Sequence, residues 1–176
     1  MITEQVGLEG AFTIEPERVV DERGYFARIF CAEEFARLGL RPDVSQSSVS
    51  YNAVAGTLRG MHWQALPHGE CKLVRCVRGA VWDVIVDVRP GSDTYRQWWS
   101  VELSAANGTM LYVPEGVAHG FLTLARASEV MYQMSDPYVP EAARGVRWDD
   151  PAFGIAWPSA PAVMSDRDRT YPDFRP

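Results

Sequence analysis

Short runs of β-branched and aromatic residues, broken by Gly, Pro, Asn and Ser, set the hydrophobic pattern of this chain. Lys72 to Val77 reads as a strand. Ala80-Val81-Trp82-Asp83-Val84-Ile85-Val86-Asp87-Val88 reads as its return partner, with Arg78-Gly79 between them as a tight hairpin turn. Arg89-Pro90-Gly91-Ser92 then stops the second strand. Further strands are predicted at Arg96 to Leu103, Met110 to Val113, Phe121 to Leu124 and Glu129 to Met134. This spacing predicts an all-β sandwich or barrel. The clearest helix is short: Ala32 to Leu38 carries acids early and a basic residue late, and Gly39 can terminate it. From Val139 onward the chain is rich in proline, tryptophan and aspartate, so irregular segments and short helical turns are expected to pack across the barrel. No repeat or linker divides the sequence, and residues 1–176 are expected to form one domain.

A hydrophobic content of 47% with 23% charged residues is that of a soluble globular protein. No apolar run approaches the roughly 20 residues of a membrane span. The start, Met1-Ile2-Thr3-Glu4-Gln5, has neither a basic stretch nor an apolar signal core, so a cytoplasmic location is expected. Cys31, Cys71 and Cys76 cannot all pair and lack zinc-site spacing; they read as reduced packing residues. A net charge of −6 argues against a broad nucleic-acid-binding surface. It leaves room for a small anionic ligand held by a few converging arginines, of which Arg23 and Arg59 are candidates.

Lys72 is the single lysine among sixteen arginines, and it follows His62 by ten residues. A compact ammonium near a histidine-bearing strand can charge-stabilise an oxyanion. Pro114-Glu115-Gly116-Val117-Ala118-His119-Gly120-Phe121 is a turn that delivers a second histidine to the start of a strand. The stretch from Gly56 to His62-Trp63-Gln64 is its counterpart, and together the two resemble the halves of the cupin jelly-roll signature. Metal-binding cupins carry a second histidine two positions after the first; Gln64 stands there in this chain. With His68 in a loop, His62 and His119 make a poor ligand set, and no metal is expected.

Five blocks make the resemblance specific. Asp21-Glu22-Arg23-Gly24-Tyr25-Phe26, Leu58-Arg59-Gly60-Met61-His62-Trp63-Gln64, Lys72-Leu73-Val74-Arg75, Val113 to Phe121 and Gly145 to Pro151 occur in the order found in the dTDP-4-dehydrorhamnose 3,5-epimerase family, which the chain resembles from about Asp21 to Asp168. The resemblance implies a homodimeric jelly roll, with exchanged N-terminal arms, acting on a nucleotide-linked 4-keto-6-deoxyhexose without metal or redox cofactor. His62 resembles the family's base and Asp168 the carboxylate behind it, an arrangement that sets the imidazole tautomer and favours its protonated form. Lys72 would stabilise the oxyanion, and Tyr132 resembles the acid on the far face of the sugar. Arg59 and Arg23 are assigned to the diphosphate, Phe26 to the base, and Gln46 to the nucleotide side, with His119 and Tyr138 near the site.

The chain departs from the family pattern at three positions. Arg28 stands where glutamate is usual, Ser48 near an asparagine that helps read the nucleotide, and Cys71 in place of the glycine before the lysine. Exchanging a carboxylate for a guanidinium turns an acceptor into a donor, so the nucleotide carrier does not follow directly from the resemblance. A single-carbon epimerase, one using another carrier, a noncatalytic sugar-nucleotide-binding cupin and a metal cupin stay open as alternatives.

Overall fold

In a computed structural model of the chain, which describes residues 1–175, the strand-forming runs pair into two facing antiparallel sheets. The elements run β1 (Ile2–Gln5), β2 (Phe12–Glu15), β3 (Arg18–Asp21), β4 (Gly24–Ala27), α1 (Ala32–Arg37), β5 (Gln46–Asn52), β6 (Leu58–Gln64), β7 (Lys72–Arg78) and β8 (Ala80–Asp87). They continue with β9 (Trp98–Ser104), β10 (Met110–Val113), β11 (Val117–Thr123), β12 (Ser128–Met134), a 3₁₀ turn at Pro140–Ala142, β13 (Ala143–Gly145) and α2 (Asp166–Arg169). One sheet has the order β1-β2-β10-β7-β12-β5 and the other β13-β6-β11-β8-β9, a jelly-roll sandwich. A separate pair, β3-β4, belongs to neither.

The core between the sheets is built by alternate residues, as a two-residue period requires. Val74, Cys76, Leu111 and Val130 face Val81, Ile85, Leu103 and Phe121. Burying each such large apolar side chain contributes about 1.5–3 kcal/mol. Strand β8 is apolar at nearly every position because its other face is covered too. Val84 and Val86 pack with Met61, Ala118, Val146 and Phe153, the last two from the C-terminal segment that crosses this sheet. Helix α1 covers the opposite outer face, placing Phe35 against Ile14, Leu73, Met110 and Tyr112.

The expected hairpin between Lys72 to Val77 and Ala80 to Val88 does not form. Strand β7 pairs with β10 and β12, whereas β8 pairs with β11 and β9, so the chain changes sheets at Gly79. Gly79 has φ 75°, and Ser128 occupies the space a side chain would need. A link this short suits a corner between packed sheets as well as a hairpin; burial on both faces of β8 selects the corner. Two strand starts also differ by more than one residue. The predicted Arg96 strand begins at Trp98, and β11 starts at Val117, which puts His119 in its middle.

One irregularity positions the candidate site side chains. His119 of β11 pairs with His62 of β6, and Phe121 with Arg59, so three steps on β6 match two on β11. This bulge lets Arg59 and His62 face the same interior, where a regular strand would turn them to opposite faces. Gly60, at φ 120°, makes it possible: an added Cβ would lie 2.8 Å from the His119 carbonyl and against Gly120. Gly60→Ala is therefore expected to destabilise the fold by about 2 kcal/mol or more, read as a lower urea midpoint. An unchanged midpoint would show that the bulge tolerates a side chain.

Candidate active site

The open end of the sandwich holds a cavity of about 620 Å³, lined by strands of both sheets and closed on one side by the segment Val163–Asp168. His62, Arg59, His119 and Phe121 project from the β6-β11 sheet; Lys72, Tyr132 and Ser50 come from the β7-β12-β5 sheet. The two groups of side chains occupy facing walls.

Asp168 arrives from a distant part of the chain. Ser165 caps α2 by accepting the Asp168 N–H at 3.1 Å, and this turn aims the carboxylate at β6. There Asp168 Oδ1 accepts a 2.7 Å hydrogen bond from His62 Nε2, and Oδ2 accepts from the Gly60 N–H at 3.3 Å. Burial alone would raise this carboxyl group, but the hydrogen bond and charge of His62, with the Gly60 N–H and Ser165, hold it below the usual carboxylate range. An ionised Asp168 keeps the proton on Nε2, so Nδ1 is the nitrogen able to accept one.

Lys72 lies almost wholly inside. Its Nζ donates to the His62 carbonyl at 3.1 Å and stands 3.3 Å from Glu70 Oε1, linking the two sheets beside His62. Burial pulls the ammonium below its ordinary range, against the opposing pull of Glu70 and Asp83. Beneath it, His119 Nε2 donates to both oxygens of the fully buried Asp83, at 2.9 and 3.0 Å. Burial raises Asp83, while His119 and Lys72 act to lower it. The Tyr132 ring packs edge-on against His119, with centroids 5.9 Å apart. Burial, reinforced by the Asp83 charge, pushes the Tyr132 phenol well above its usual range, so it holds its proton at neutral pH. The cavity thus offers an acceptor, a cation and a proton donor around one space.

Arg59 lines the same cavity, oriented by a 2.7 Å bond from its Nε to Asn52 Oδ1. Ser48 and Gln46 follow Ser50 along the same face of β5, and Gln46 Oε1 accepts the Tyr138 N–H at 2.6 Å at the rim. Arg23, Phe26 and Arg28 lie apart from this cavity. Arg23 sits at the tip of the β3-β4 hairpin, ion-paired with Asp21, Phe26 is 74% exposed, and Arg28 pairs with Glu34 of α1 at 3.0 Å. Cys71 is buried beneath α1, and all three cysteines are free. The sequence reading passed over Asp83, Glu70, Ser50 and Arg167. Asp83 carries a signal, an acid at an inward position within the apolar run of β8; Arg167 and Ser50 carry none.

Gln64 is buried and fully engaged. Its Nε2 donates to the His68 and Pro137 carbonyls and to Glu70 Oε2, each at 3.2 Å, and its Oε1 accepts from the Val139 N–H at 2.6 Å. Among the described residues, no group of three or more His, Cys, Asp or Glu side chains is placed to hold a metal ion. Among the described residues, no helix is long and apolar enough to cross a membrane.

Comparison with known proteins gives these features a family. The family model described as dTDP-4-dehydrorhamnose 3,5-epimerase matches residues 5–176. A dTDP-4-dehydrorhamnose 3,5-epimerase of Sinorhizobium fredii is 46% identical over 162 residues, spanning 92% of this chain and 83% of the relative. A dTDP-4-dehydrorhamnose 3-epimerase of Streptomyces niveus is 38% identical over 165 residues, spanning 93% of this chain and 79% of that protein. The crystal structure of the Bacillus anthracis dTDP-4-dehydrorhamnose 3,5-epimerase, with TDP and PPi bound, superposes with a TM-score of 0.94 at 38% identity, covering 98% of this chain and 99% of the other. Sequence order, sandwich topology and near-complete coverage agree, and the chain belongs to the dTDP-4-dehydrorhamnose 3,5-epimerase family.

Proposed function

We propose that this protein inverts the carbons flanking the ketone of dTDP-4-dehydro-6-deoxyglucose, C3 and C5, to give dTDP-4-dehydrorhamnose. One observation carries the reading: the His62–Asp168 pair and the Tyr132 phenol stand on facing walls of one cavity, with the Lys72 ammonium reaching between the sheets beside them. A sugar ring held between these walls meets a base on one face and an acid on the other, which is what inversion requires.

In this scheme His62 Nδ1 removes the proton from a carbon next to the carbonyl. The C–H electron pair forms the enolate double bond, and negative charge gathers on the carbonyl oxygen, where Lys72 stabilises it. The ketone reforms as Tyr132 delivers its proton to the opposite face, and exchange with solvent resets both groups. Asp168 favours the imidazolium formed on the way. The ketone itself acidifies the neighbouring C–H bonds, so this chemistry calls for neither metal nor redox cofactor. Arg59 binds the diphosphate with its planar donor fork. His119, Ser48, Gln46 and Tyr138 line the sugar and nucleotide side.

The remaining ligand-binding residues come from a second copy of the chain. Val19, Val20, Tyr25 and Phe26 are all more than half exposed on the β3-β4 hairpin, an apolar surface that a lone subunit leaves in water. Insertion of this arm into a neighbour would bring Arg23 to the diphosphate and Phe26 and Arg28 to the base, in a homodimer with reciprocal exchange. Three free thiols suit a reducing compartment, which supports a cytoplasmic location. A single-carbon epimerase is the second reading, favoured by one feature: the Streptomyces niveus relative is named for C3 alone.

Proton-exchange NMR in deuterated water is the direct test. Wild-type protein is expected to place deuterium at both C3 and C5 of the dTDP-linked ketosugar, and His62→Asn to slow exchange by about 10²-fold or more while remaining folded. Label confined to C3 would select the single-carbon reading, and normal exchange in folded His62→Asn would remove His62 as the base.

Arm exchange makes a separate prediction. His62→Asn and Arg23→Ala proteins, each weakly active alone, are expected to regain about one quarter of wild-type activity after unfolding, mixing and refolding, because half the dimers are mixed and each holds one intact site. No recovery on mixing would place Arg23 at the site of its own subunit or at none.

A further inference from the structure

The sequence singles out Gln64 as the residue standing where a metal-binding cupin has its second histidine, and the proposed reaction gives it no role. Its contacts suggest one. Gln64 lies two residues beyond His62 on β6, buried, and its Nε2 donates to Glu70 Oε2 at 3.2 Å while its other bonds tie it to the loops at His68, Pro137 and Val139. Glu70 Oε1 in turn stands 3.3 Å from Lys72 Nζ, with side-chain exposures of 9% and 10%. A carboxylate this dry is stable only if both oxygens are engaged, and Gln64 and Lys72 engage one each. The lysine is equally dependent. The His62 carbonyl and Glu70 take up its protein-facing donors, leaving donor capacity for a ligand in the cavity.

We infer that Glu70 is a positioning residue for Lys72: held by Gln64, its carboxylate fixes the ammonium beside the reacting carbonyl and keeps it charged in a water-poor cavity. The inference rests on the oxyanion role given to Lys72 above. Desolvation drives Lys72 toward the neutral amine, and Glu70 is the foremost opposing influence. The other titratable groups around the ammonium are Asp83 on β8, His62 on β6, His119 on β11 and Tyr132 on β12, with Asp168 and Arg59 further along the cavity wall. Of these Asp83 also favours the charged lysine, but it is shared with His119.

The solitary lysine makes the test clean. Lysine labelled with ¹³C at Cε gives one side-chain resonance in this protein, that of Lys72, whose pH titration reports the ammonium directly. In Glu70→Gln, which preserves size and the bond to Gln64 but removes the charge, the titration midpoint is expected to fall by about one pH unit or more. The alkaline limb of the exchange rate should move down with it, while KM stays near wild type and the protein remains folded. A midpoint within about 0.3 units of wild type would overturn the inference, since one nearby buried charge is worth more than that. A drop in Tm with no displacement of the titration or the pH profile would assign Glu70 a purely structural role and overturn it equally. Should Glu70→Gln fail to fold, Glu70→Asp, which withdraws the carboxylate by one methylene, is expected to shift the midpoint in the same direction by less. Lys72→Met, assayed alongside, separates the two readings. Wild-type exchange in that variant would remove the oxyanion role of Lys72, whereas the titration still decides whether Glu70 holds it.

Discussion

The close approach of Gly60 to Gly120 is the constraint on which the site depends. Because neither residue carries a side chain, β6 and β11 come together tightly enough for β6 to bulge, and the added residue resets its facing. Arg59 and His62 then both point into the sandwich, and the Gly60 N–H is free to bind Asp168. Without the bulge, one of the two would lie on the outer face with Met61, among the apolar residues covered by the C-terminal segment. The same short stretch of backbone therefore sets the arginine, the histidine and the orientation of the carboxylate behind it.

Around that frame the protein buries several charged groups. Asp83, Asp168 and Lys72 are all less than a tenth exposed, and each unpaired charge in such a place would cost several kcal/mol. Each has a partner of opposite or complementary character: His119 for Asp83, His62 for Asp168, Glu70 for Lys72. Fixed pairs of this kind stabilise a fold little compared with an apolar core, but they hold donors and acceptors in place before a ligand arrives. Stability is carried instead by the three apolar clusters, one between the sheets and one on the outer face of each. The charged end of the sandwich can be specialised because the rest of it is not.

The β3-β4 hairpin shows the opposite economy. Among the described residues it pairs with no other strand, and its valines and aromatics face outward. An isolated two-stranded hairpin with an apolar surface is marginal in water, and its stability in a subunit depends on what covers it. In the proposed homodimer a second copy of the chain would supply that cover.

By itself the sequence determined the strand-rich character of the chain, the short helix at Ala32, the irregular C-terminal segment and the identities of the chemical groups. These are legible because they rest on local composition and on residue types whose chemistry is their own, such as the lone Lys72 or the histidines at His62 and His119. Tertiary structure decided which strands are neighbours. Lys72 to Val77 and Ala80 to Val88 look like a hairpin, yet they lie in different sheets, since the choice between a corner and a hairpin turns on burial supplied by Val146 and Phe153, far along the chain. The pairing of His119 with Asp83, the seating of Lys72 between His62 and Glu70 and the entry of Arg167 into the cavity wall were equally out of reach. Spacing along a chain records the local backbone period, whereas a buried charge finds its partner across sheets, where only packing and desolvation govern the distance.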